Sequence, residues 1–185
     1  MEVKSTGIEG LYEIIPSVYE DSRGWFQEFY KTTNQKDFGL SNLLVQDNLS
    51  FSKKGVVRGL HLQLEPFAQA KLVAVLQGKV LDVVVDLRKE SATFGKTYSI
   101  VLDSEKHNML MIPEGFAHGF SALADSLFFY KCSNLYNANF ETGIVWNDPQ
   151  LNIDWQIEHP VLSEKDRQLP LLKDLLGKSL ISPKV

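Results

Sequence analysis

The chain has 185 residues, of which 44% are hydrophobic and 23% charged, and its formal net charge is −4. That balance describes an ordinary globular protein and argues against a nucleic-acid binder, whose surface is usually net basic. No apolar run reaches the roughly 18 residues of a membrane-crossing helix, and Cys132 is the only cysteine, so no internal disulfide forms. These features predict a cytoplasmic protein with no membrane partner, folded as a single domain over residues 1–185.

In chain order, Asn34 to Phe38 is read as one or two helical turns. Val56 to Leu62 and Lys71 to Leu76 are read as strands. Val80 to Asp86 is a third, marked by its β-branched run between Gly78 and the Arg88-Lys89-Glu90 turn. Tyr98 to Leu102 and Asn108 to Ile112 follow, joined by the polar Asp103-Ser104-Glu105-Lys106. Pro113 to Phe120, rich in Gly and aromatics, reads as a turn into a packed strand or as a lip that sets His118 at a barrel mouth. Leu127 to Cys132 is another strand. Ser163-Glu164-Lys165-Asp166 begins like a capped helix, and Leu169, Leu172, Leu175 and Leu176 continue at helical spacing. Residues from about Ser179 to Val185 form a loose tail. Short strands at this spacing, with few helices, predict a sandwich or a barrel of the jelly-roll kind.

Several residues admit both a structural and a chemical reading. In Val57-Arg58-Gly59-Leu60-His61-Leu62-Gln63, strand alternation sends Arg58, Leu60 and Leu62 to one face and Gly59, His61 and Gln63 to the other. His61 is then a satisfied core histidine or, beside Gln63, Gln46 and Asn48 in a polar cavity, a general base. Asp166, the third residue after Ser163, fits a helix-capping position, or it orients a histidine by accepting its second ring proton. Tyr130 is core packing or a general acid. Arg23, Arg58 and Lys71 are surface charge or a diphosphate clamp. A metal site is disfavoured, because Gln63 stands two residues after His61 and His118 stands alone, whereas zinc and iron favour several imidazoles or thiolates.

An ordered set of motifs separates these readings. Asp21 to Glu28, Gln46 to Ser50, Gly55 to His61, Gln69 to Val73, Asp82 to Asp86 with Arg88, Thr93 to Gly95, Ile112 to Phe120, Tyr130-Lys131, Glu141 to Pro149 and Leu162 to Asp166 resemble, in order, the motifs of the dTDP-4-dehydrorhamnose 3,5-epimerase family. The likeness covers about Ile8 to Leu171. It implies a mainly β fold, a cupin-like double-stranded β-helix or jelly roll with short peripheral helices and a C-terminal helix, forming a homodimer with exchanged N-terminal strands.

The resemblance further implies His61 as base, Asp166 as its partner, Tyr130 as acid on the opposite sugar face, and Lys71 as enolate stabiliser with His118 nearby. Arg23 and Glu28, with Phe26 from the same motif, would serve the partner's site. Gln46 and Asn48 would contact the nucleotide, and Arg58 the diphosphate or sugar. The substrate implied is dTDP-4-dehydro-6-deoxy-D-glucose, inverted at C3 and C5 without cofactor. The absence of a Gly-rich dinucleotide fingerprint agrees with that.

Departures from the family pattern fall at Trp25, where phenylalanine is common, at Leu62, where an aromatic is common, and at Leu135-Tyr136, which replaces an aromatic pair. Tyr136, or Tyr19 from the partner, would then stack on the base. The alternatives are a single-centre epimerase of the same family, a sugar-nucleotide binding module without catalysis, and a metal-dependent barrel oxygenase.

Overall fold

The structure is a computed structural model and describes residues 1–39 and 43–177. The expected tail lies outside the described residues. One sheet contains, in spatial order, β1 (Glu2–Ser5), β2 (Tyr12–Ile15), β10 (Met109–Ile112), β7 (Lys71–Gln77), β12 (Ser126–Cys132) and β5 (Gln46–Ser52). The second contains β13 (Glu141–Gly143), β6 (Val57–Gln63), β11 (Phe116–Ala122), β8 (Lys79–Asp86) and β9 (Thr97–Asp103). A separate hairpin pairs β3 (Val18–Asp21) with β4 (Gly24–Gln27). The fold is the mainly β, cupin-like jelly roll expected from the sequence.

The central strands read as continuous apolar runs because both of their faces are covered. On β7, Val73 and Val75 face the inter-sheet core with Val80, Val84, Leu110, Ile112, Phe116, Phe120 and Phe128, while Leu72 and Ala74 face an outer cluster holding Phe38 and Met109. On β8, Leu81, Val83 and Val85 turn outward and pack under Ile144, Trp155, Leu172 and Leu175 of the C-terminal segment. The inter-sheet core fills one half of the sandwich. In the other half the inward positions are polar, and there the cavity opens.

The strands predicted from Val56 to Cys132 appear within a residue or so of their expected ends. Three expectations change. The turns at Asn34 to Phe38 are a 3-10 helix over Thr32–Gln35, extended by the Phe38 amide donating to the Asn34 carbonyl at 3.1 Å. The C-terminal helix is two pieces, α1 (Glu164–Arg167) and α2 (Leu172–Gly177). Pro170, between them, has no amide to continue a helix, and its carbonyl instead accepts the Val145 amide at 2.9 Å.

The third change matters most. Alternation places Arg58 opposite His61, yet both line the same cavity. Against β11, Phe120 pairs with Arg58 and His118 with His61, so β6 carries one residue more than its neighbour between these pairs. That bulge leaves Val57, Leu60 and Leu62 on the outer core side and turns Arg58 inward with His61. Gly59 allows it: its φ is +116°, and a Cβ there would sit 2.6 Å from the Gly119 Cα. Gly59→Ala is expected to lower stability by about 1–3 kcal/mol and to reduce turnover further by shifting Arg58 relative to His61, as read by thermal melts and steady-state kinetics.

Candidate active site

His61 and Asp166 lie 105 positions apart and meet at 2.6 Å, His61 Nε2 to Asp166 Oδ1. Backbone pairing brings them together. The Val57 amide donates to the Val161 carbonyl and the Val161 amide to the Gly55 carbonyl, both at 2.9 Å, laying the segment before α1 along the start of β6. Ser163 then caps α1 by accepting the Asp166 amide at 3.1 Å. The two readings of Asp166 therefore coexist, since its amide serves the cap and its carboxylate serves His61. With Nε2 engaged, Nδ1 is the ring nitrogen left to take a proton.

Asp166 is buried, and burial pushes its carboxyl pKa up, but hydrogen bonds from His61, Ser163 and the Gly59 amide hold it below the ordinary carboxylate value.

His61, Lys71, Tyr130 and Glu141 line both of two adjoining cavities, of about 210 and 260 Å³. Burial pulls the Lys71 ammonium below the usual lysine value, opposed by Cys132, Asp82 and Glu141. Burial also raises the Tyr130 phenol, so it stays protonated at neutral pH. The Lys71 amine and a neutral phenol thus face the space beside an imidazole. This arrangement can take a proton from one atom, stabilise an oxyanion and supply a proton.

His118, opposite His61 in the β6–β11 register, donates through Nε2 to Asp82 Oδ2 at 2.9 Å, and both side chains are buried. Among the described residues no three His, Cys, Asp or Glu side chains converge as metal ligands would.

The outer cavity is lined by Gln46, Asn48, Gln63, Gln69 and Tyr136. Gln46 Nε2 donates to Asn48 Oδ1 at 3.0 Å while Gln46 Oε1 accepts the Tyr136 amide at 2.9 Å, which ties the aromatic ring to the amide-rich floor. The Tyr136 hydroxyl donates to Glu141 Oε2 at 2.6 Å, and its pKa is pushed up to about 12, chiefly by that bond. Arg58 is held by Ser52 Oγ at 3.0 Å and the Phe51 carbonyl at 3.2 Å.

Tyr19, Arg23, Phe26 and Glu28 are not brought to this pocket. Tyr19, Arg23 and Phe26 line a separate concavity on the β3–β4 hairpin, where Arg23 pairs with Asp21 at 2.6 Å; Glu28 pairs with Lys31 at 2.7 Å.

Comparison with known proteins settles the family. The family model described as dTDP-4-dehydrorhamnose 3,5-epimerase matches residues 5–174. The dTDP-4-dehydrorhamnose 3,5-epimerase of Shigella flexneri is 48% identical over 171 residues, covering 90% of this chain and 93% of that one. The crystal structure of the enzyme of that name from Elizabethkingia anophelis superposes with a TM-score of 0.90 at 47% identity, covering 94% of this chain and 97% of the other. That of the dTDP-6-deoxy-D-glucose-3,5-epimerase from Legionella pneumophila, in complex with dTDP-4-keto-L-rhamnose, gives 0.89 at 43% identity and covers 93% of each chain.

The chain belongs to the dTDP-4-dehydrorhamnose 3,5-epimerase family.

For a member of this epimerase family, two residues of the site, the pocket-lining Glu141 and Asp82 behind His118, escaped assignment from the sequence. Asp82 had a usable signal, since a carboxylate in the run Val80-Leu81-Asp82-Val83-Val84-Val85 must be buried and so must find a partner. Glu141 had none. Burial raises its pKa, but hydrogen bonds from Lys165 and Tyr136 outweigh this and hold the carboxyl low.

Because the folded Asp166 value lies below the unfolded one, its contribution to stability is fully present above about pH 4 and is lost as pH falls through the folded value. Melts of Asp166→Asn between pH 2 and 6 are expected to show a flatter acid limb than the parent protein, with the two curves converging at the acid end.

Proposed function

We propose that the protein inverts C3 and C5 of dTDP-4-dehydro-6-deoxy-D-glucose to give dTDP-4-dehydro-L-rhamnose. The observation that carries this reading is the convergence of the His61–Asp166 pair, Lys71 and the protonated Tyr130 on one cavity. A C4 ketone acidifies the protons on C3 and C5, because their removal leaves an enolate with its charge on oxygen. His61 takes the proton from one face through Nδ1, and Asp166 stabilises the imidazolium that results. Lys71 stands beside the developing C4 oxyanion, a preorganised charge that contributes several kcal/mol in such sites. Tyr130 returns a proton on the other face, and His118, held by Asp82, supports the inner end. Gln46, Asn48 and Tyr136 hold the nucleotide, and Arg58 the diphosphate or sugar. The same set removes the proton from each centre in turn, with no electron transfer.

In deuterated buffer the product is expected to carry label at both C3 and C5 by NMR; label at one carbon alone would instead mark a single-centre epimerase. His61→Ala and Tyr130→Phe are each expected to lower kcat/KM by roughly 10²–10⁴-fold. Unchanged turnover in both would remove them from catalysis.

We also infer a homodimer in which the β3–β4 hairpin reaches the partner's cavity. Support comes from the hairpin itself, a two-stranded ribbon of a kind marginal in water alone, which leaves Tyr19, Trp25 and Phe26 exposed by 65%, 60% and 67%. Arg23 and Phe26 on that hairpin, with Glu28 just beyond it, would then complete the nucleotide site across the interface. Light scattering is expected to give twice the chain mass. Mixing inactive Arg23→Ala and His61→Ala proteins is expected to restore about a quarter of parental activity, because half of each mixed dimer has an intact site; no recovery would place Arg23 outside the partner's site. The lone buried thiol of Cys132 supports a reducing, cytoplasmic setting.

A further inference from the structure

The inner cavity ends on a surface that none of these roles uses. Phe120 on β11 and Phe128 on β12 both line it, with ring centroids 4.3 Å apart and planes 18° from parallel. Phe128 also packs 6.1 Å from His118 and 5.9 Å from Tyr130, so the aromatic pair adjoins the proposed acid and the histidine beside the proposed base. Both phenyl rings are almost wholly buried, at 4% and 1% exposure. The adjoining corner between β5 and β6 is polar. It holds Ser50 and the Arg58 guanidinium, which is fixed by Ser52 and the Phe51 carbonyl. Arg58 is exposed and Ser50 half-buried, so the cavity has a polar, open side next to a closed apolar wall.

We propose that the stacked Phe120–Phe128 pair receives the C6 methyl of the sugar and selects 6-deoxy sugars over their 6-hydroxy counterparts. This rests on the sugar-nucleotide reading above. In a pyranose, C4 lies across the ring from C1. With the nucleotide at the amide-lined mouth, C4 therefore points inward toward Lys71. The carbons flanking C4 then carry their substituents, a hydroxyl on C3 and a methyl on C5, to the end of the cavity. The polar corner suits the hydroxyl, and the aromatic pair suits the methyl.

A hydroxyl on C6 would lose its water against two phenyl rings with no partner in return. It would also be chemically unsafe. Loss of the C5 proton to His61 places an enolate next to C6, and departure of hydroxide from C6 would form a C5=C6 double bond and re-form the ketone. Excluding that hydroxyl protects the intermediate from elimination.

The test uses dTDP-6-deoxy-D-glucose and dTDP-D-glucose, which lack the ketone and are not turned over, titrated calorimetrically into the intact protein. The 6-deoxy sugar is expected to bind roughly 10- to 100-fold more tightly. Phe120→Tyr, which adds a hydroxyl to the wall, is expected to narrow that ratio several-fold, whereas Phe128→Leu keeps the wall apolar and preserves the preference. Equal affinities in the parent protein would overturn the inference, as would a ratio unmoved in a folded Phe120→Tyr variant. Should that variant fail to fold, the parental ratio alone decides. If the parent protein exchanges deuterium into its keto substrate yet binds both analogues equally, only this inference fails; absence of exchange together with absence of binding brings down the functional reading and the wall with it.

Discussion

Asp166 is a carboxylate removed almost entirely from water, and the site is organised around keeping it charged. An unpaired buried carboxylate would take up a proton rather than remain ionised. Here three donors prevent that: the His61 ring, Ser163 and the Gly59 amide. Each comes from a different feature of the fold, namely the inward face of β6, the helix cap and the bulge. The imidazole is thereby fixed in one orientation, with one nitrogen committed and the other available. Proton abstraction needs that asymmetry.

The bulge links this pair to the rest of the cavity. A regular β6 would carry Arg58 on the outer face, among the leucines under the C-terminal segment. One extra residue brings Arg58 in beside His61, and the backbones of β6 and β11 approach so closely that neither Gly59 nor Gly119 has room for a Cβ. A departure from ideal strand geometry thus gathers two charged or titratable groups where alternation would supply one.

A second histidine–carboxylate pair, His118 with Asp82, sits beside the first on the neighbouring strands of the same sheet, in dry surroundings. The two imidazoles are each tied to a single carboxylate, one on a strand within the same sheet and one on a helix docked from outside it. Behind them the cavity becomes apolar, so a bound sugar would meet charge around its reacting carbons and hydrocarbon at its far edge. The β3–β4 hairpin, by contrast, leaves Tyr19, Trp25 and Phe26 largely exposed, with Trp25 edge-on to the His107 ring at 4.4 Å, and pairs its Arg23 with its own Asp21. The single chain leaves that element without a role of its own.

Local pattern by itself determined most of the strands. Runs such as Val80 to Asp86 are apolar but for Asp82 and Asp86, and only a strand covered on both sides buries every residue of such a run. The ordered motifs determined the family, and with it the roles to expect at His61, Lys71, Tyr130 and Asp166. Period-two alternation could not reveal the bulge, because a bulge is defined by the neighbouring strand and not by β6 itself. Leucine spacing could not reveal the break between α1 and α2, although Pro170 was there to be weighed. Nor could spacing decide what Asp166 does, since a cap is a local matter, whereas a partner 105 positions away is chosen by chain packing. The tertiary structure decided both jobs at once, because amide and carboxylate point to different neighbours.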